Sequence, residues 1–386
     1  MVYKRRLGDI IRLSSGGTPS KKKDDYWNGD IPWISAKNMK EDLLEDSSIY
    51  ITKDGLNHGS KLAPRGSVLL LVRGSGLFKD IPICYVERDL AFNQDVKCIE
   101  SIDPKNIPNK YIFYWLKSQK YTLSKSVGVT TIGAGKFDTD YILNMEIQIP
   151  AIEVIKKQVD FLDSITQKIK CNKQINDNLS DQIQAIYSND FAPTTHTPTG
   201  VLADICSYSS DRIPVAELSA STYFSTENMQ PNKLGAVDAT SLPSISQTTG
   251  CHNGDVLVSN IRPYFKKIVY ITDDCCGCST DVLCFVPKEK QYSAFLFGTL
   301  YMDRFFEYMV AGSKGTKMPR GDKKQIMNYP IVLPDKESLA LFNGLTIPML
   351  EQIATNRIES SRLASLRDAL LPKLMSGELD VSELDL

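Results

Sequence analysis

Short phrases from the first half of this 386-residue chain return in the second half in the same order. "LGDI" (7–10) followed by "IPWISAKNM" (31–39) is answered by "LADI" (202–205) followed by "IPVAELSASTYFSTENM" (213–229). "RGSVLLLVRG" (65–74) is answered by "NGDVLVSNIRP" (253–263); both read as a turn glycine feeding a buried strand that ends on a basic residue, Arg73 or Arg262. "NQDVKCI" (93–99) parallels "CSTDVLCFV" (278–286), setting Asp95 against Asp281. A loop follows in each half, "SVGVTTIGAG" (126–135) and "AGSKGTKMPRG" (311–321), and then a strand closed by proline, "NMEIQIP" (144–150) and "NYPIVLP" (328–334). The offset drifts from 195 to 184 residues, as insertions between true repeats would make it. The chain is therefore read as two similar α+β domains.

After each closing proline comes a helical pattern. Ile155, Leu162, Ile169, Asn176 and Ile183 fill one heptad position of the first, and Gln158, Ile165, Asn172, Leu179 and Ile186 the other. The second gives Phe342, Met349, Asn356, Leu363 and Leu370, with Leu345, Gln352, Glu359 and Leu366. Pro348 is expected to mark the true start of that helix and Pro372 its end. Helices of about 30 residues span roughly 45 Å, longer than one side of a domain of this size. They are thus expected to pack on one another, antiparallel. At the repeat offset Asn172 falls on Asn356, and a polar pair in a seam can fix its register. The expected order is domain 1–150, helix 151–194, domain 195–335, helix 336–376 and an acidic tail 377–386. The expected shape is a pseudo-twofold caliper suited to a ligand that repeats along a line, such as duplex DNA.

Composition excludes more than it proposes. Apolar content of 42% and charge of 24% describe an ordinary soluble protein. The sequence has no run of eighteen apolar residues for a membrane span, and the basic N-terminus lacks the apolar stretch of a signal peptide. Nine scattered cysteines fit reduced thiols in the cytoplasm better than a disulfide framework. Cys275, Cys278 and Cys284, with Cys251 or His252, could be arranged around a metal, but the first half has no matching cluster, and free buried thiols are the expectation. "AGSKGTK" lacks P-loop spacing, no dinucleotide or nucleophile-elbow motif is present, and the three histidines lie far apart in sequence. Neither catalysis nor a bound metal is expected.

Binding residues are easier to nominate. Residues 1–150 carry 22 Lys/Arg against 18 Asp/Glu. Lys21, Lys22 and Lys23 stand beside Trp27 in a loop punctuated by Gly and Pro, where lysines could meet phosphates and an aromatic could pack on sugar or base. Lys37, Arg73, Lys125 and Lys136 complete the first-half candidates. In the second half Arg262 and Lys266 flank Tyr264 and Phe265, and Lys314, Lys317 and Arg320 occupy a glycine-rich loop able to reach base edges. A solvated charge run beside a core tryptophan explains the first cluster equally well. The candidate helix seam is Ile155, Leu162, Ile165, Ile169, Asn172, Leu179, Ile183 and Ile186 against Met349, Asn356, Leu363, Leu366 and Leu370.

The closing "LRDALLPKLMSGELD" (366–380), the opening "GDI…GGTPS…YWNGDIPWI" (8–34) and "ENM…GDVLVSNIRPYFKK" (227–267) together resemble the specificity subunit of type I restriction–modification systems, over nearly the whole length. The resemblance implies two target-recognition domains, each reading one half of a split site in double-stranded DNA, and two helices that set the unread gap. It implies a non-catalytic subunit that carries two copies of an adenine-N6 methyltransferase and recruits restriction/translocase subunits. S-adenosylmethionine, ATP and Mg2+ would then belong to those partners, and the location would be cytoplasmic. Two other readings stay open at this level: a subunit of a related system whose partner polypeptide combines methylation and cleavage, and a two-domain enzyme.

Overall fold

The computed structural model describes residues 3–130, 133–192 and 197–380. It divides into two compact units, Met1–Gln167 with Leu363–Leu386 and Lys168–Arg362. His196 and the last six residues of the acidic tail lie outside the described residues.

In the first unit, Tyr3–Arg6 pairs antiparallel with Glu146–Ile149, tying the start of the globular part to its end. A five-stranded sheet runs in the order Ile11–Ser15, Val96–Ser101, Val68–Leu71, Ile83–Val86, Leu43–Leu44. Its central strand, the "VLLL" of the repeat, is buried along its whole length and packs against a helix. That helix, Asn109–Ser118, buries Tyr111 through Lys117. The Tyr111 hydroxyl donates to the Gln148 carbonyl at 2.6 Å and that of Tyr114 to Asp163 Oδ1 at 2.7 Å, so both phenols enter the core with a partner. A four-stranded sheet holds Tyr50–Ile51, Trp27–Ile34, Leu90–Phe92 and Lys61–Ala63.

The second unit repeats this plan. Gly200–Val201 pairs with Pro330–Ile331 as the closing pair. Cys206–Tyr208, Val282–Pro287, Val256–Ser259 and Ile268–Tyr270 form one sheet in that order. Arg212–Pro214, Gln247–Cys251, Cys276–Cys278 and Tyr223–Phe224 form the other. In both units one parallel pairing joins the equivalent strands, Ala91 with Trp33 and Tyr223 with Gly277. Local detail recurs too. Leu7 N–H donates to the Met145 carbonyl at 2.8 Å, and Leu202 N–H to that of Tyr329 at 2.9 Å. The "SAKNM" and "STENM" phrases fold alike: Asn38 Oδ1 accepts from Ser35 N–H at 3.3 Å, and Asn228 Oδ1 from Ser225 N–H at 2.6 Å. The methionine after each asparagine is buried.

Both long helices contribute to both units. The first is Ile152–Phe191 and the second Lys336–Ser376. In the first unit Ile155 and Leu162 enter the same core as Leu371, Leu374 and Met375, and Gln158 Nε2 donates to the Leu374 carbonyl at 2.8 Å. In the second unit Asn172 meets Asn356, Glu359 and Ser360, whereas Asn176, one turn on, meets Ile353 and Asn356. Partner numbers fall as the first helix rises, so the pairing is antiparallel.

Three expectations are corrected. The second helix does not start at Pro348 or stop at Pro372; it runs through both. Each ring sits on the exposed side and removes one N–H, while buried Thr346 and Leu350, or Leu371 and Leu374, hold the helix from its packed side. One of the two seam positions of that helix is also displaced by one residue, while the other keeps Phe342 and Asn356 buried. Leu345 is 54% and Leu366 48% exposed, while their neighbours Thr346 and Arg367 face inward. Thr346 satisfies its hydroxyl on the Phe342 carbonyl at 2.8 Å, and Arg367 satisfies its charge on Asp42. A choice by hydrophobicity selects leucine at both places and is wrong by one residue.

Candidate DNA interface

Each unit ends its central buried strand on the same small platform. In the first unit Arg73–Gly74 pairs with Gly135–Lys136, which pairs in turn with Gly128–Val129. Arg73 and Lys136 are register partners and both are exposed. With Thr130 and Thr139 they line a cleft of about 770 Å³. Phe137 N–H donates to the Val72 carbonyl at 2.9 Å, anchoring the platform beneath. Asp138 then caps the short helix Thr139–Leu143, accepting from Asp140 N–H.

In the second unit Ile261 pairs with Arg320, and Arg320 with Lys314. Gly321 N–H donates to the Asn260 carbonyl at 3.2 Å, the counterpart of the Phe137 anchor. Asp322 caps the helix Lys323–Met327 as Asp138 caps its equivalent. Arg262 and Lys266 both adopt left-handed backbone, at φ +50° and +52°, which costs of order 1 kcal/mol each for non-glycine residues. The turn they bound turns Tyr264 and Phe265 outward, at 49% and 39% exposure.

The positive charges differ in how far they are neutralised. Lys266 meets Asp303 at 3.0 Å, and Lys233 meets the same carboxylate at 2.6 Å. The hydrogen bond from Lys233, opposed by burial and aided by Lys266, holds Asp303 below the ordinary carboxylate range. Lys314 meets Asp322 at 2.7 Å; this bond and the backbone N–H groups of Gln325 and Lys324 bring Asp322 down to about 2. Arg320 meets Asp281 at 2.9 Å. Arg262 donates weakly to the Lys317 carbonyl at 3.5 Å, and Lys317 is exposed at the tip of the loop. Sequence reasoning found the basic residues and gave no role to the three acids that pair with them. Asp322 had a signal: an aspartate just before a helical "KKQIM" is an N-cap pattern.

The Lys21–Lys22–Lys23 loop is a separate feature. Trp27 donates its indole N–H to the Ser20 carbonyl and packs edge-on against Trp33, whose own N–H donates to the Gly17 carbonyl, each at 3.1 Å. The tryptophans thus pin the "GGTPS" loop. A Cβ on Gly16 would lie 2.0 Å from the Phe92 carbonyl oxygen, which is why glycine stands there. The three lysines are exposed above this pin, with Lys23 over the Tyr26 ring at 5.0 Å. Lys37 is exposed on the Ser35–Asn38 turn, and Lys125 lies 4.0 Å over Tyr121. Among the described residues no hydrogen bond joins these lysines to the Arg73–Lys136 platform.

Cys251, Cys278 and Cys284 gather in the second unit, while Cys275 is exposed. Hydrogen bonds to Cys278 and Cys284, with burial added, push the Cys251 thiol far up. Among the described residues no group of three or more His, Cys, Asp or Glu side chains is placed to hold a metal ion. Nor is any helix of the described residues long and apolar enough to cross a membrane.

Two units of similar plan thus each carry a strand-anchored basic platform. Residues 2–181 match the family model described as "Type I restriction modification DNA specificity domain". The EcoR124I/EcoR124II specificity subunit of Escherichia coli is 35% identical over 161 residues, covering 41% of this chain and 39% of that subunit. The MjaIX specificity subunit of Methanocaldococcus jannaschii is 27% identical, covering 98% of this chain and 94% of its own. The solved type I S subunit from M. genitalium has the same fold, with a TM-score of 0.59 at 15% identity, covering 97% of this chain and 96% of that one. This chain is thus similar over nearly its whole length to specificity subunits of type I restriction–modification systems.

Proposed function

We propose that this chain reads a bipartite duplex site, one half per unit, and presents that DNA to modification and restriction subunits. The observation that carries the reading is the repeated platform: Arg73 and Lys136 in one unit, Ile261–Arg262 and Arg320 in the other, each followed by a capping aspartate. Exposed basic side chains on a strand-anchored loop can neutralise phosphates and reach groove edges. Because the loops differ in sequence, the two half-sites differ. The long helices set the unread gap and take two adenine-N6 methyltransferase subunits. S-adenosylmethionine, ATP and Mg2+ act in those partners, within the cytoplasm where the DNA is.

Co-expression with methyltransferase and restriction subunits, sizing of the complex and sequencing of the methylated DNA test this. The expected result is one copy of this chain with two methyltransferase copies, marking an asymmetric split site. Methylation without sequence preference would overturn it.

A further inference from the structure

We infer that the half-site read by the second unit contains a guanine and that Arg320, steadied by Asp281, is the residue that reads it; this rests on the DNA-recognition role proposed above. Guanine alone offers two acceptors side by side in the major groove, and a planar arginine fork is their commonest partner. A fork is useful only if its position is fixed before the DNA arrives.

Arg320 meets both demands. Its backbone exchanges two hydrogen bonds with Lys314, at 2.9 and 3.0 Å, and its neighbours are held by Arg262 N–H on the Pro319 carbonyl at 2.8 Å and by Gly321 N–H on the Asn260 carbonyl at 3.2 Å. The side chain remains 58% exposed. One N–H of Nη2 goes to Asp281 Oδ1 at 2.9 Å, leaving the remaining donors of a five-donor group for a base edge. Asp281 is itself fixed, since its carbonyl accepts from Asn260 N–H at 2.8 Å. It is a positioning residue: it touches the arginine and sets its plane.

The neighbouring cations do not fit that role. Lys266 and Lys314 carry no fork and are tied to Asp303 and Asp322. Arg262 is only partly exposed and turns its Nη2 toward the Lys317 carbonyl of the glycine-rich loop. Lys317 is a point charge. In the first unit the equivalent position is Lys136, so the same guanine preference is not expected there.

The test uses the full-length chain, with Arg320→Ala, Arg320→Lys and Asp281→Asn variants, each selected against duplexes randomised in both half-sites. The expected wild-type result is a guanine at one position of one half-site. Arg320→Ala lowers that preference roughly 10- to 100-fold, the range of a lost bidentate contact, and leaves the other half-site unchanged. Arg320→Lys and Asp281→Asn give smaller losses at that same position, with unchanged thermal unfolding. Uniform weakening for all sequences, or a site with no guanine that responds to Arg320, overturns the inference alone. Absence of preference in both halves overturns the recognition role with it.

Discussion

Arg367, nine residues before the closing Ser376 of the second long helix, donates through Nη1 to Asp42 Oδ2 at 2.9 Å, across 325 positions of sequence. The same carboxylate oxygen takes a bond from Lys117, whose side chain is only 6% exposed. The terminal helix is thereby bonded to the sheet side of the first unit by a shared acid. Apolar packing of Leu371, Leu374 and Met375 adds about 1.5–3 kcal/mol for each side chain buried. The "LRDALLPKLMSGELD" phrase is thus partly a docking sequence, with its arginine as the polar anchor.

Replacing Asp42 by Ala leaves the buried Lys117 without its counter-ion and Arg367 with Asp368 alone. A loss of about 2–4 kcal/mol in denaturant unfolding of the first unit is expected. Burial raises the Asp42 carboxyl, but Lys117 and Arg367 outweigh it and hold it below the ordinary range. A folded pKa below the unfolded value contributes stability in full above about pH 4, and that contribution is lost as pH falls through the folded value. Wild type should therefore lose stability below about pH 4 more steeply than Asp42→Asn. Parallel acid titrations of the two proteins would contradict this.

The paired asparagines make unequal contacts. Asn356 Nδ2 donates to Asn176 Oδ1 at 2.8 Å while its Oδ1 accepts from Gln352, and so both of its polar atoms are used. Asn172 donates to Glu359 Oε2 at 2.7 Å, yet its own Oδ1 is buried without a protein partner. Asn356→Ala is expected to cost about 1–2 kcal/mol, and Asn172→Ala distinctly less, because one of its groups already goes unsatisfied. Equilibrium unfolding midpoints would rank the two variants; a reversed order would refute the assignment.

The duplication was legible because the fold reuses short signals at fixed places: the turn glycine before each buried strand, the Ser-x-x-Asn turn, the proline before each long helix. Both helices were legible from heptads, but one of the two seam positions of the second was not. Its inward residues at two turns are Thr346 and Arg367, whose polar groups are satisfied by a helix carbonyl and by a carboxylate distant in sequence. Hydrophobicity cannot anticipate either. The same limit explains the interface. Lys266, Lys314 and Arg320 read as free cations until Asp303, Asp322 and Asp281 are seen beside them, and two of those acids lie 37 and 39 residues away.

Lys317 should behave unlike Arg320. It is exposed, in a loop whose other two cations are ion-paired, and it carries a single compact charge. Lys317→Ala is expected to weaken binding to all sequences alike and to lower the slope of log affinity against log salt by about 0.9, the value for one phosphate contact. Titrations across a salt series would measure it. A change confined to one base position would make Lys317 a base reader instead.

The helix spacing can be tested independently of any base contact. A matched insertion of seven residues in each long helix, near Asn172 in one and Asn356 in the other, preserves the seam's repeat and adds about 10.5 Å of helix. At 3.4 Å per base pair this corresponds to about three additional unread pairs. Neither platform is touched by the insertion, because Arg73, Lys136, Arg262 and Arg320 all lie in the sheets and loops that precede the helices. Sequencing the DNA methylated or retained by the variant should show the same two half-sites with a gap lengthened by about three. An unchanged gap would mean that the helices do not set it, and altered half-sites would mean that the recognition surfaces extend into the seam.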